Sequence, residues 1–128
     1  MKLTMTQAIA VKNILGKIAD ANLPIKTSYK IMKIVSIIEV EEKFFNQKLA
    51  ALIEKYGEKN DNGEYVYVDD SNIKIVENLR VDCEKEIKEL QDLEIEIPDY
   101  KFTLIDFNEA NFTPREVFML EPFLDIEI

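Results

Sequence analysis

The run Ile31-Met32-Lys33-Ile34-Val35-Ser36-Ile37-Ile38-Glu39-Val40-Glu41-Glu42-Lys43-Phe44-Phe45 decides the fold of this chain. Together with Leu49, Leu52 and Tyr56, the residues Ile31, Val35, Ile38 and Phe45 recur at alternating spacings of three and four, with Glu42 the one charged residue on the stripe. That spacing returns side chains to one face of an α-helix and makes a coiled-coil-like seam over Thr27 to Tyr56. Ile34, Ile37, Val40 and Phe44 widen the apolar surface of the first half, which predicts cover on two sides there and a narrower contact line further on. At about 1.5 Å per residue the helix spans roughly 45 Å, longer than a compact domain of this size needs, so part of it is expected to project.

Outward from this segment, Ser71 to Leu93 carries a second stripe, with Ile73, Val76, Leu79, Cys83, Ile87 and Leu90 on one face. Gly57 caps the first of the pair, and the polar insert after it contains Asn62-Gly63, which favours a tight turn. The two segments therefore predict an antiparallel helical hairpin. A turn near residue 64 sets positions equidistant from it against each other, so Phe45 and Leu49 are expected near Leu79 and Cys83. Tyr65-Val66-Tyr67-Val68 predicts one short strand in the insert, and Asp69-Asp70 is expected at the start of the third helix, where the dipole favours negative charge.

Before the hairpin, Met5 to about Ala21 reads as a covering helix. Thr4 and Gln7 form a capping box, and Val11, Ile14, Leu15 and Ile18 make its inner face. Gly16 costs about 1 kcal/mol relative to alanine in a helix interior, which points to dependence on packing or to close approach of another backbone. Leu23-Pro24 ends this helix. After the hairpin, Glu94-Ile95-Glu96-Ile97 alternates and Tyr100 to Phe107 is rich in strand formers, predicting a small two- or three-stranded sheet. Thr113-Pro114-Arg115-Glu116 then opens a short helix through Leu120, stopped by Pro122. The fold class expected is mainly α with a minor β element, in one helical-hairpin domain spanning residues 1–128.

Composition agrees with this class. The chain has 128 residues, 47% of them hydrophobic and 32% charged, with only 3 glycines and 4 prolines, which suits a helix-dominated chain able to bury a core without disulfide or metal staples. A net charge of −9 opposes direct nucleic-acid binding, because phosphate affinity depends on Lys and Arg displacing counterions. It suits solubility, a basic protein partner, or imitation of nucleic acid. The single cysteine excludes an internal disulfide and fits a reducing cytoplasm. No apolar run approaches the roughly twenty residues a bilayer requires, so no membrane partner is expected.

No catalytic constellation emerges. The chain has no histidine, which removes Ser-His and Cys-His nucleophile pairs, histidine metal sites and the commonest general base. Cys83 lies within an apolar stripe and is expected to be buried and inert. Isolated glycines build no phosphate loop. Glu58, Asn60, Asn62, Gly63, Glu64 and Asp69 match the positions of a calcium loop, but the first and last ligands are wrong and Tyr65 replaces the usual aliphatic anchor, so a turn and strand explain them better. No metal or other cofactor is expected. Glu42 is expected at the edge of the seam, reaching solvent, and the acidic clusters around Glu39 and Glu86 alternate with lysines like solvated helix faces.

The order Leu23-Pro24-Ile25-Lys26-Thr27-Ser28-Tyr29-Lys30, then Glu39 to Phe45, then Leu52-Ile53-Glu54-Lys55-Tyr56-Gly57-Glu58-Lys59 with Asn62-Gly63-Glu64-Tyr65, resembles a family of small proteins of unknown function from tailed phages and prophages of Gram-positive bacteria. The closing Thr113 to Pro122 segment is similar too. The resemblance implies a phage origin, a helical hairpin, and residence in the host bacterial cytoplasm or in a virion, and it carries no catalytic residues. Two functions are expected from these readings: a non-catalytic protein-binding component of the virion or its assembly, or an acidic inhibitor of a nucleic-acid-binding host defence protein. A second copy of the chain is a further candidate partner. Glu39, Glu42, Phe44 and Glu86 are the partner-binding candidates, as the charged and apolar residues presented by the hairpin helices.

Overall fold

Local signals place most of the helices where the sequence predicts them. In the computed structural model, which describes residues 1–18, 23–107 and 111–125, Lys2–Thr4 forms strand β1, followed by helices α1 (Met5–Gly16) and α2 (Ile25–Tyr56). Helix α3 (Arg80–Gln91), strand β2 (Glu94–Glu96) and helix α4 (Pro114–Leu120) complete the regular elements. Among the described residues the chain is mainly α, with four α-helices and one two-stranded antiparallel sheet.

Packing divides the chain into two compact units, Met1–Glu42 with Glu94–Ile128, and Lys43–Leu93. In the first, the capping box at Thr4 forms as expected: its hydroxyl accepts from Gln7 N, and the Gln7 side chain accepts from Thr4 N. Val11, Ile14, Leu15 and Ile18 are all buried, facing a core that includes Ile34, Ile38, Phe102, Leu120 and Phe123. Helix α1 ends at Gly16, short of the Ala21 expected; Ala21 itself lies outside the described residues. Gly16 ends the helix, and among the described residues a Cβ there would meet nothing within 4 Å, so of the two readings the close approach of another backbone is not seen. Thr113 and Glu116 make the second capping box, with Pro114 opening α4.

The sheet differs from expectation. β2 pairs with β1, Leu3 opposite Ile95, and the Met1 ammonium donates to Ile97 O at 2.9 Å, so the extreme N-terminus supplies the partner strand. Tyr100 to Phe107 is not a strand. Phe102 makes an isolated parallel bridge with Leu124, and residues 104–107 close a 3-10 turn on which Asp106 accepts from Thr103 N at 2.7 Å and from the buried Thr27 hydroxyl at 3.2 Å. Local hydrogen bonding to the aspartate thus overrides strand propensity.

The second unit contains the largest departure. Ser71 to Val76 is not helical; it joins two other limbs in a closed backbone cycle. Glu58 N donates to Lys74 O at 2.8 Å, Lys74 N to Val66 O at 2.7 Å, and Val66 N to Glu58 O at 2.9 Å. Flanking bridges Lys59↔Tyr65, Tyr67↔Ile73 and Gly57↔Ile75 link each limb to both others. The tips are held by side chains: Asn60 Oδ1 accepts from Asn62 N and Glu64 N, and Asp69 Oδ1 accepts from Ser71 N and Asn72 N. Asp69 therefore organises a turn rather than a helix start. Gly63 has φ +79°, the left-handed conformation that the Asn-Gly turn requires.

Because this cycle consumes residues through Val76, α3 starts at Arg80 and the hairpin register moves. Positions equidistant from residue 64 would set Lys55 against Ile73, yet Lys55 Nζ meets Glu86 Oε1 at 3.3 Å. The residues that line a trough with Phe44, Lys48 and Leu52 from the α3 side are Glu86, Glu89, Leu90 and Leu93, and neither Leu79 nor Cys83 is among them. Val40 and Phe44, expected under cover, are 70% and 41% exposed.

The glycines give a test of this arrangement. A Cβ at Gly57 would lie 2.5 Å from Ile53 O and 3.0 Å from the Tyr65 ring, so Gly57→Ala should destabilise by about 1–3 kcal/mol through overpacking. Gly16→Ala, at an open position without positive φ, should stabilise by about 0.5 kcal/mol. Urea midpoints of the two variants should move in opposite directions.

Candidate functional site: a trough between two antiparallel helices

Helices α2 and α3 run antiparallel within the second unit, because Val76 N donates to Tyr56 O at 2.9 Å where the first ends and the second is about to begin. An open trough of about 360 Å³ lies between them. From α2 it is lined by Phe44, Lys48, Ala51, Leu52 and Lys55; apart from Leu52, these follow the spacing of one helix face. From α3 come Glu86, Glu89, Leu90 and Leu93. The floor is apolar, the α2 wall carries two lysines, and the α3 wall carries two glutamates.

One end is bound by a three-residue network. Lys55 Nζ sits 3.3 Å from Glu86 Oε1 and 4.9 Å from the centroid of the Tyr56 ring, and the buried Glu86 Oε2 has no hydrogen-bond partner among the described residues. The Tyr56 hydroxyl, then the Lys55 ammonium, hold the Glu86 carboxyl below the usual glutamate range. The Glu86 carboxylate raises the Tyr56 phenol, and Tyr56, then Glu86, raise Lys55. Each charge state is thus the one the network prefers near neutral pH. At the rest of the trough, Lys48 Nζ lies over the Phe44 ring at 5.5 Å. Neither Lys48 nor Glu89 has an ion-pair partner among the described residues.

The four partner-binding candidates separate. Phe44 and Glu86 both line the trough, one from α2 and the other from α3. Glu39 is exposed on α2 within the first unit. Glu42, expected to reach solvent, is instead half-buried with its carboxylate 3.0 Å from Lys12 Nζ of α1, since a charge on a seam lowers its cost by pairing with the covering helix. Lys48, Glu89, Leu90 and Leu93 are not among the partner-binding candidates, although Leu90 belongs to the predicted stripe of the second hairpin helix. The face Phe44-Lys48-Ala51-Lys55 was the available signal, but it gains meaning only once the register of α3 is known.

Cys83 is buried beside this region, and burial, then the negative charges of Glu86 and Glu84, push its thiol above the ordinary value. A thiol so placed is a poor nucleophile. Among the described residues, no three Asp, Glu or Cys side chains converge as a metal cage, and no helix is long and apolar enough to cross a membrane. No protein-family model, curated protein or solved structure matches this chain.

The network fixes a pH dependence. A carboxyl whose folded pKa is depressed contributes stability that is complete above its unfolded value, about 4.3, and is lost as pH falls through the folded one. Glu86→Gln should therefore lower the melting temperature at pH 7 and make stability less steep between about pH 5 and 3. On the alkaline side, the raised Tyr56 and Lys55 contribute stability that is present below about pH 10 and lost above it, and Tyr56→Phe should flatten that limb. Thermal melts across pH check both slopes.

Proposed function

We propose that this protein is a non-catalytic protein-binding module of phage origin, acting as a virion or assembly-associated component in the host bacterial cytoplasm. One observation carries the reading: the trough between α2 and α3 presents Phe44 and Leu93, 41% and 43% exposed, on an apolar floor rimmed by charge. An apolar centre with a polar rim is the anatomy of a protein interface, and aromatic side chains near such centres contribute most of the binding energy. The phage origin is supported by the sequence resemblance described above. The absence of histidine from the chain and the protonated state favoured for Cys83 support a non-catalytic role.

A virion or assembly partner bound through apolar surface and a host protein captured by acidic mimicry differ in salt dependence. Interaction through the trough should be only weakly sensitive, because exposed charge is screened within about 8 Å at physiological ionic strength while apolar burial is not. The protein carrying a photo-crosslinking residue at position 44 should form an adduct with one phage protein during infection or in a lysogen; the same group at exposed Val81 should not. Affinity for that partner should fall less than about threefold between roughly 50 and 200 mM salt. Equal adducts from both positions, or none, would remove the trough from the interface. A hundredfold loss with salt would favour the acidic inhibitor instead.

A further inference from the structure

Resting on the protein-binding reading, the trough also defines what kind of segment it accepts. Its walls are helix surfaces whose backbone amides and carbonyls are engaged along α2 and α3, so an extended strand would find no free ladder there. Two antiparallel helices with an apolar furrow between them offer instead the ridges and grooves into which a third helix packs. The rim decides which helix. Lys48 and Lys55 stand one heptad apart on α2, so both face the same edge of an occupant lying along the furrow; Glu86 and Glu89 face its other edge from α3. Lys55 and Glu86 already satisfy each other at 3.3 Å, which leaves Lys48 and Glu89 as the charges that discriminate among occupants.

We propose that the trough receives a single amphipathic α-helix of a protein partner, with carboxylates along the edge over α2 and basic side chains along the edge over α3. The charge complementarity is local. With a net charge of −9, the chain as a whole attracts any basic peptide, whereas a furrow with one lysine wall and one glutamate wall rejects helices whose two edges carry the same sign. Helix direction follows from the same rule. Reversing an occupant exchanges its edges, so a mixed-edge helix binds in one direction only.

The test uses three synthetic helices of roughly twenty residues with identical leucine faces: one with a Glu edge and a Lys edge, one with two Glu edges and one with two Lys edges. Titrated by fluorescence anisotropy against the full chain, the mixed-edge helix should bind at least about fivefold more tightly than either of the others. Lys48→Glu makes both discriminating charges negative and should transfer the preference to the two-Lys helix. Glu89→Lys should transfer it to the two-Glu helix. Both positions are exposed, so the variants should melt as the parent does. If the two-Lys helix binds best to the parent and neither variant changes the ranking, overall charge governs binding and the inference fails. If no helix binds while a partner still crosslinks from position 44, the protein-binding reading stands and the helical occupant is wrong. Loss of both results would remove the reading as well.

Discussion

The closed cycle of backbone hydrogen bonds through Glu58, Val66 and Lys74 is the constraint on which the second unit depends. Three short limbs, each too brief to be a stable strand alone, satisfy one another because every limb is bridged to both others. Closure also fixes length. By drawing Val76 back to Tyr56 it determines where α3 begins, and so which α3 residues stand opposite α2. Lys55 meets Glu86 rather than a residue of the insert for that reason, and the trough has lysines facing glutamates. Gly57 is the hinge of the arrangement: the Tyr65 ring and Ile53 O leave no space for a side chain where the helix passes into the first limb.

Electrostatics then act on a geometry already set. Exposed ion pairs such as Arg80 with Glu84, or Lys88 with Asp92, are helix-surface pairs of small energetic weight. Glu86 differs because it joins a buried tyrosine as well as a lysine, linking the last turn of α2 to the middle of α3 through three groups instead of two. Such a link specifies register more than it adds stability, since a slip of one helical turn would separate the Lys55 ammonium from the Glu86 carboxylate. Glu42 and Lys12 play the corresponding part between α2 and α1 in the first unit.

What sequence reveals here follows from the range of each signal. Thr4 with Gln7, and Thr113 with Pro114 and Glu116, are complete within four residues, and both form as read. The stripe of α2 is long enough for periodicity to decide its state. Ile73 and Val76 mislead because a spacing of three in a short segment fits a helix as well as a bridged limb, and tertiary closure chooses between them. Lys2–Thr4 shows no strand signal of its own; its pairing with Glu94–Glu96 joins segments far apart in the sequence, which no local pattern encodes. At the site, Phe44 could be read as part of an apolar surface and Glu86 as part of an acidic cluster, but Lys48, Leu90 and Leu93 look ordinary until the register places them together. Glu39 stands out by charge and Glu42 by charge on an apolar stripe, and neither signal says which neighbour claims the carboxylate.

Burial in the second unit ties binding to stability. Tyr56, Cys83 and Leu90 are its fully buried side chains, while Phe45, Leu49, Leu52, Ile53, Ile75, Val76, Leu79 and Ile87 remain half-buried. A segment of this length that shields so few apolar groups gains little from the hydrophobic term and leans on its backbone cycle and on the Tyr56-Glu86-Lys55 network. An apolar occupant of the trough would remove Phe44, Leu52 and Leu93 from water together, supplying burial of the kind the unit lacks. Any ligand that binds the folded unit alone stabilises it by mass action, so occupancy and folding of Lys43–Leu93 are thermodynamically linked. The exposed floor of the trough is therefore both the weakest part of the unit's core and the part a partner can complete.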